Sequence, residues 1–264
     1  YTVEALMYNG VSLQSATSHY FGQKFAKAYD IKFLNKNNEW QYAYQTSWGC
    51  STRMIGALIM VHSDDNGLVL PPNIAPRQVV IVPIGESAEV KALADKYLKI
   101  LSEANISVFC DDSDRSPGFK FAEHEVNGIP VRIEIGARDL ANGEITLARR
   151  DTREKMNVKM DCDIVNEVLN LMKSIQQNLY DRALKRRDEL TYRTDDISQV
   201  EKIIKTKPGF IYSHWCGKQE CELKMKEIGG IKSRCITDEP VSDGDKCVVC
   251  KEKAKHMVVW GIQY

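Results

Sequence analysis

The chain has 264 residues, 43% of them apolar and 27% charged, a balance that fits a folded protein of about two domains and excludes extended disorder. Lys plus Arg and Asp plus Glu are equal at 36 each, which argues against indiscriminate polyanion binding while permitting a local basic surface. The longest apolar run, Met54–Val61, falls far short of the ~20 residues needed to cross a bilayer, so the expectation is a soluble protein.

The chain opens on YTVEALMY, which reads as a strand; with no initiator Met and no signal-peptide pattern, it reads as the C-terminal part of a longer protein. SATSHYFGQKFAKAY reads as a loop entering a helix, and QYAYQTSW as a second strand. The segment 46–76, TSWGCSTRMIGALIMVHSDDNGLVLPPNIAP, then predicts a helix capped by Ser51 or Thr52, with no polar face from Met54 to Val61 and hence buried. Arg53 is out of place there. A helix N-terminus disfavours a cation by roughly 0.3–1 kcal/mol, so an arginine is explained if it and the helix end act on one anion, such as a phosphate. An arginine bonded to a structural carboxylate is the alternative.

Pro71, Pro72 and Pro76 make LPPNIAP a stiff connector and a sensible boundary. After it, QVVIVPIG, ISVFCDD, PVRIEIGARD and ITLARRD read as strands. The helical pattern SAEVKALADKYLKILSEAN lies between the first two. This alternation predicts a small α/β domain with a mixed sheet of about five strands and two or three helices. Ile164, Val168, Leu171, Ile175, Leu179 and Leu184 recur near helical spacing and predict a long amphipathic helix. The expected domains are therefore 1–76, 77–160, a linking helix at 161–197, and 198–264.

Cys50, Cys110 and Cys162 are scattered, as in a reducing compartment, and point to the cytoplasm. Five further cysteines crowd the last fifty residues. Cys216-x4-Cys221 and Cys247-x2-Cys250 form two paired-thiolate knuckles, the spacing of a closed, tetrahedral structural zinc site. Cys235 is the odd thiol, and His214 and His256 are the substitutes if one cysteine is not a ligand. Reduced cysteines at a decayed metal site are the competing reading; a disulfide framework is the weaker one.

Lys120, Arg132, Arg138, Arg149, Arg150 and Arg153 fall among Phe119, Phe121, Glu123 and Glu125, a mixture that suits splayed single-stranded bases: rings stack, polar edges read and cations hold phosphates. A merely solvated charged sheet face gives the same pattern. His19 alone reads as a structural histidine, and no Ser/His/Asp set, glycine-rich dinucleotide fingerprint or paired-carboxylate arrangement stands out.

Together SATSHYFGQKFAKAY, TSWGCSTRMIGALIMVHSDDNGLVLPPNIAPRQVVIVP, SPGFKF with VNGIPVRIEIGARD, and the terminal four-cysteine module closely resemble the prolyl-tRNA synthetases of the eukaryotic and archaeal-like type. The resemblance runs over essentially the whole chain. It implies an α/β (α+β) architecture in three parts: the end of a class II antiparallel-sheet catalytic domain, an anticodon-binding domain with a mixed five-stranded sheet, and a small zinc-binding α+β domain.

By the same resemblance GCSTRMIGALIM is the third signature motif of class II synthetases. Arg53 would then be the catalytic contact to the ATP phosphates, with Thr17 and Ser51 also on ATP and Gln14 helping to hold Mg²⁺. His19 would line the proline pocket beside Trp48. Lys120, Glu125 and Arg132 would read the proline anticodon. The zinc module, on Cys216, Cys221, Cys247 and Cys250, would act as a spacer and clamp, with WGIQY as an arm ending at Tyr264 near the catalytic centre. The implied reaction is ATP-driven formation of prolyl-adenylate and transfer to tRNA(Pro), by a homodimer of the full-length cytoplasmic enzyme.

Two departures from the family pattern stand out: His124 where a Trp is usual, and Ala137 in place of a Pro before Arg138. The first and second signature motifs are absent from these residues, so they would not form a complete active site alone. The alternatives are a non-catalytic RNA-binding or scaffolding protein, or another class II enzyme such as threonyl- or histidyl-tRNA synthetase.

Overall fold

The computed structural model describes residues 1–264 and divides into two compact units, one of 1–61 with 186–264 and one of 62–185. The first unit begins with strand β1 (Thr2–Leu6) and the eleven-residue β2 (Ser12–Gly22), followed by a short helix α1 (Lys24–Ala28). SATSHYFG is therefore strand and not loop. Its run of Ser, Thr and His hides the alternation, since Ser18, His19 and Tyr20 are exposed in succession. Strands β3 (Lys32–Leu34) and β4 (Trp40–Tyr42) pair as a hairpin, and β5 (Gln45–Cys50) adds to β2, giving an antiparallel sheet ordered β1-β2-β5.

Helix α2 (Arg53–His62) follows at once. It is not the buried helix its composition predicts. Only Ala57 is buried, against Met7 and Leu13, while Ile55 is 60% exposed and Met54 and Ile59 are also open. An apolar helix needs a cover on every side, and within its own unit this one is packed along a single stripe.

The second unit holds β6 (Val79–Ile84), α3 (Ala88–Glu103), β7 (Val108–Cys110), α4 (Pro117–Val126), β8 (Val131–Gly136), α5 (Ala137–Ala141), β9 (Glu144–Arg149) and β10 (Lys155–Lys159). Its strands form one five-stranded mixed sheet ordered β10-β9-β8-β6-β7, as the alternation predicts. β6 runs parallel to both β7 and β8, and β9 and β10 are antiparallel additions. Val79 through Val82 are all fully buried because both faces of a parallel centre are covered. Helix α4 starts where Ser116 accepts a bond from the Phe119 N–H at 3.4 Å and Pro117 occupies the first turn.

Helix α6 (Ile164–Glu189) packs the predicted stripe, Ile164, Val168, Leu171, Ile175 and Leu179, onto this sheet's core and then leads into the first unit. There follow β11 (Thr191–Arg193), α7 (Ile197–Thr206), β12 (Phe210–Trp215), α8 (Gln219–Lys226), β13 (Ile231–Ile236) and β14 (His256–Ile262). They make a four-stranded sheet, β11-β12-β14-β13, over a core centred on Trp260, Val258, Met225 and Val200.

This C-terminal module and the N-terminal sheet belong to one unit, and their contacts are specific. Gly10, at φ 78°, has the Pro208 carbonyl oxygen 1.9 Å from where a Cβ would stand, so only glycine fits. Arg234 on β13 forks onto Glu4 of β1, and the Tyr264 N–H donates to the Ser12 carbonyl at 2.9 Å. No helix is long and apolar enough to cross a membrane.

Candidate functional site

The N-terminal sheet gathers most of the residues expected around a nucleotide. Directly opposed residues of antiparallel strands share a face. In the β1–β2 register Thr2 opposes Thr17 and Glu4 opposes Gln14, so Gln14 and Thr17 lie on the same face although three residues apart. Ser15 is the extra residue of a β-bulge that makes this possible. His19 continues the row, and Ser47 and Gly49 of β5 oppose His19 and Thr17. Beside Gly49 a Cβ would meet nothing within 4 Å, which leaves open space next to Thr17.

Arg53 stands at the first turn of α2, where its N–H donates to the Ser51 hydroxyl at 3.3 Å. Its guanidinium makes no ion pair; Nη1 reaches only the Gln14 carbonyl, in a long 3.5 Å contact. The carboxylate alternative therefore has no partner, and an exposed guanidinium sits beside the helix end and the Gln14 strand. Gln14 and Thr17 are half-buried; His19, exposed, stacks on Phe21 at 5.4 Å. Trp48 falls elsewhere. It opposes Ser18, in the row on the other sheet face from His19, so the register does not bring these two together. Gln14, Thr17, Ser51 and Arg53 offer the amide oxygen, hydroxyls and cation that a magnesium–polyphosphate group needs, since Mg²⁺ takes oxygen ligands and usually keeps substrate phosphates.

In the second unit Glu125 at the end of α4 and Arg132 on β8 meet, Nη1 to Oε1 at 3.2 Å, and Arg132 Nε donates to Glu134 at 3.0 Å. Arg132 also lies 4.2 Å from the Phe121 ring centroid, and Lys155, paired with Glu134 at 2.8 Å, lies 5.1 Å from the same ring. Glu125, Arg132, Arg149, Arg150, Arg153 and Lys155 line a small cavity, in which Arg132 and Lys155 are paired with Glu134, Arg149 with Asp151 and Arg150 with Asp64. Guanidinium and ammonium groups gathered beside an aromatic side chain are the kind of surface that meets a phosphodiester strand.

Lys120 does not join it. It is buried, and its ammonium donates to the Asp111 carbonyl at 2.8 Å. His124 is buried beside it, edge-on to Phe109 and 2.8 Å from Asp111 Oδ2. Burial alone would raise the Asp111 carboxyl, but bonds from Ser113 and His124 outweigh it and hold it below its ordinary value. Lys155 has no local sequence signal, since it pairs opposite Ala148 across a hairpin and carries no motif.

The four knuckle cysteines converge. Their sulfur atoms lie within 4.8 Å of one another, with Cys216–Cys221 at 3.6 Å and Cys216–Cys250 at 3.7 Å. A tetrahedron of thiolates at about 2.3 Å from zinc has edges of about 3.8 Å, while a disulfide closes to about 2.05 Å. The set fits a metal ion and not a pair of disulfides. Burial would push the Cys247 thiol up, but the N–H groups of Cys250 and Val249 favour its thiolate and bring it down to about 7. His214 is not a ligand: Nδ1 and Nε2 are held by Asp195 at 2.8 Å and Asp245 at 3.2 Å. His256 packs against Trp215, and Cys235 lies outside the cluster.

Residues 78–171 match the family model described as the anticodon binding domain, and residues 197–264 match the one described as prolyl-tRNA synthetase, C-terminal. The chain is 47% identical over 266 residues to a proline–tRNA ligase of Clostridium novyi and 47% over 264 residues to one of Ruminiclostridium cellulolyticum. It is 46% identical over 264 residues to proline–tRNA ligase 2 of Bacillus thuringiensis subsp. konkukian. Each alignment covers 100% of this chain and 55% of the relative, so the chain spans about half the length of the curated relatives it matches. With its mixed five-stranded sheet, its buried four-cysteine cluster and a likeness unbroken from end to end, the chain matches the anticodon-binding and C-terminal domains of prolyl-tRNA synthetases, at high identity over its full length.

Proposed function

We propose that these residues are the part of a proline–tRNA ligase that carries the third class II signature motif, the anticodon-binding domain and the zinc module. Residues 1–76 would complete the catalytic domain, 77–160 bind the anticodon, 161–197 link, and 198–264 form the zinc-binding domain. One observation carries the reading: Arg53, free of any carboxylate, stands at the first turn of α2 within a chain aligned end to end with such enzymes.

In this reading the proline carboxylate attacks the α-phosphate of ATP, pyrophosphate leaves, and the prolyl group passes from AMP to the terminal ribose of tRNA(Pro). The guanidinium of Arg53 neutralises charge that grows on the phosphate oxygens, a contribution that comes from its being in place beforehand. Thr17 and Ser51 hold ATP by their hydroxyls, and His19 contacts proline. Trp48, opposite Ser18 on the other sheet face, would reach the proline pocket round the edge strand β5. Gln14 would hold Mg²⁺, which supplies further charge neutralisation on the phosphates. No side-chain nucleophile is needed. Glu125 and Arg132 read the anticodon, with Lys120 acting from beneath through Asp111, and Cys216, Cys221, Cys247 and Cys250 hold structural Zn²⁺. The whole protein would act as a homodimer in the cytoplasm.

The test is proline-dependent exchange of pyrophosphate into ATP by the full-length protein. Arg53→Ala should lower it by about 10²-fold or more, the usual effect of removing one charge-stabilising donor. Exchange driven by threonine or histidine but not proline would overturn the reading. tRNA binding without any exchange would favour a non-catalytic RNA-binding role instead.

A further inference from the structure

The face shared by Gln14, Thr17 and His19 depends on one bulge, and the bulge lies where the C-terminal module grips β1. Val3 opposes Ala16 and Glu4 opposes Gln14, leaving Ser15 without a partner between them. Because side chains alternate along a strand, losing that extra residue from the register would move Gln14 to the face opposite Thr17 and His19. β1 is poorly equipped to hold the register alone. It has five residues, lies at the sheet edge, and its first half is exposed.

Glu4 is the exception on that strand. Both its carboxylate oxygens are held by Arg234 of β13, at 2.9 Å from Nε and 2.7 Å from Nη2, and Ser12 Oγ donates to the same group. The two side chains keep only 7% and 10% of their surface. A two-pronged guanidinium–carboxylate contact fixes direction as well as distance, and a lysine cannot reproduce it. On the next strand the Tyr264 N–H on the Ser12 carbonyl, with the Ser12–Gln263 bridge, pins the start of β2. The C-terminal module thus holds both strands on the side of the bulge that leads to Gln14.

We infer that Arg234 is a positioning residue for the nucleotide site, acting through Glu4 to hold the β1–β2 bulge that turns Gln14 onto the face of Thr17 and His19. This rests on the reading of those three residues given above. The C-terminal module then does more than clamp: it sets the register of the strand that meets Mg²⁺ and ATP.

The experiment compares Arg234→Ala, Arg234→Lys and Glu4→Gln in the full-length protein. The first readout is proline-dependent pyrophosphate exchange as a function of Mg²⁺ and of proline. The second is amide hydrogen exchange of residues 12–19. Arg234→Ala should raise the Mg²⁺ requirement by about 10-fold, the lower end of what losing a supporting partner of a metal ligand costs, with the proline KM unchanged. Exchange at Gln14 to Thr17 should be faster than in the parent. Arg234→Lys, which keeps the charge and folds most readily, should shift both in the same direction by less, and Glu4→Gln should match Arg234→Ala. A uniform loss of rate with the Mg²⁺ requirement unaltered, or wild-type exchange at residues 12–19 in all three variants, would overturn the inference. If the parent shows no proline-dependent exchange, the functional reading fails, while the hydrogen-exchange comparison still decides whether Arg234 holds the bulge.

Discussion

Replacing Cys247 by serine removes one corner of the four-sulfur cluster and exchanges a soft thiolate for a hydroxyl that zinc binds poorly. Structural zinc in small modules contributes roughly 10–16 kcal/mol near neutral pH, so one of four thiolates accounts for about 3 kcal/mol. The setting adds to this. Cys247 is fully buried, its N–H donates to the Glu252 carbonyl at 2.8 Å, and the next N–H, of Val248, donates to the His214 carbonyl at 2.9 Å. Val248 belongs to the same core as Trp260, so loosening the knuckle loosens the sheet. The assay is urea unfolding followed by tryptophan fluorescence, with Trp215 and Trp260 in the module as reporters, alongside zinc content per chain. Cys247→Ser should lose zinc and at least about 3 kcal/mol of module stability. Cys235→Ser, exposed and outside the cluster, should stay within about 0.5 kcal/mol of the parent. A Cys247→Ser protein that keeps one zinc per chain and the parent unfolding midpoint would refute the assignment.

Other outcomes follow from the second unit. The Asp151 carboxylate receives Arg149 at 2.7 Å on each oxygen and Asn178 at 2.6 Å, and although burial works against ionisation these bonds hold it below its ordinary value. A carboxyl lowered on folding stabilises at pH above about 4 and loses that contribution as pH falls further. Urea midpoints measured down to acid pH should therefore fall less steeply in Asp151→Asn than in the parent. Gly128, at φ 71°, leaves a Cβ 2.6 Å from that of Leu68, so Gly128→Ala should cost more than about 1 kcal/mol by thermal unfolding. Arg132→Ala should weaken tRNA binding by about 1–3 kcal/mol and flatten its salt dependence in filter binding. An unchanged salt slope would exclude a phosphate contact through this pocket.

Some of this molecule could be read directly from its residues. The stripe Ile164 to Leu179 packs as its spacing requires, and the alternation after the proline connector becomes a five-stranded mixed sheet. Cysteine spacing was sufficient to pick out of eight thiols the four whose sulfur atoms converge, because paired knuckles bring each pair close in space. Other features depend on contacts that no local pattern encodes. The apolarity of α2 showed a need for cover but not how much its own unit supplies, and the polar face of β2 disguised a strand as a loop. The pairing of Glu125 with Arg132 appears only once a helix end and a strand are brought together. Glu4 and Arg234 are 230 positions apart, and the unpaired Ser15 has no sequence signature at all. Lys120, singled out for its company of aromatics and acids, turned inward to Asp111 because its stem sits on the buried side of α4.

Gly10 carries a consequence for descent. The Pro208 carbonyl occupies the space any other side chain would need there, so the turn after β1 and the segment entering β12 can change only in concert. A C-terminal module borrowed from a relative with a different approach at this point would collide with its new host, and a host that had replaced the glycine would reject every module of this shape. Module and first strands are a fitted pair, and a module exchanged alone should fail to seat wherever the residue at this turn is not glycine.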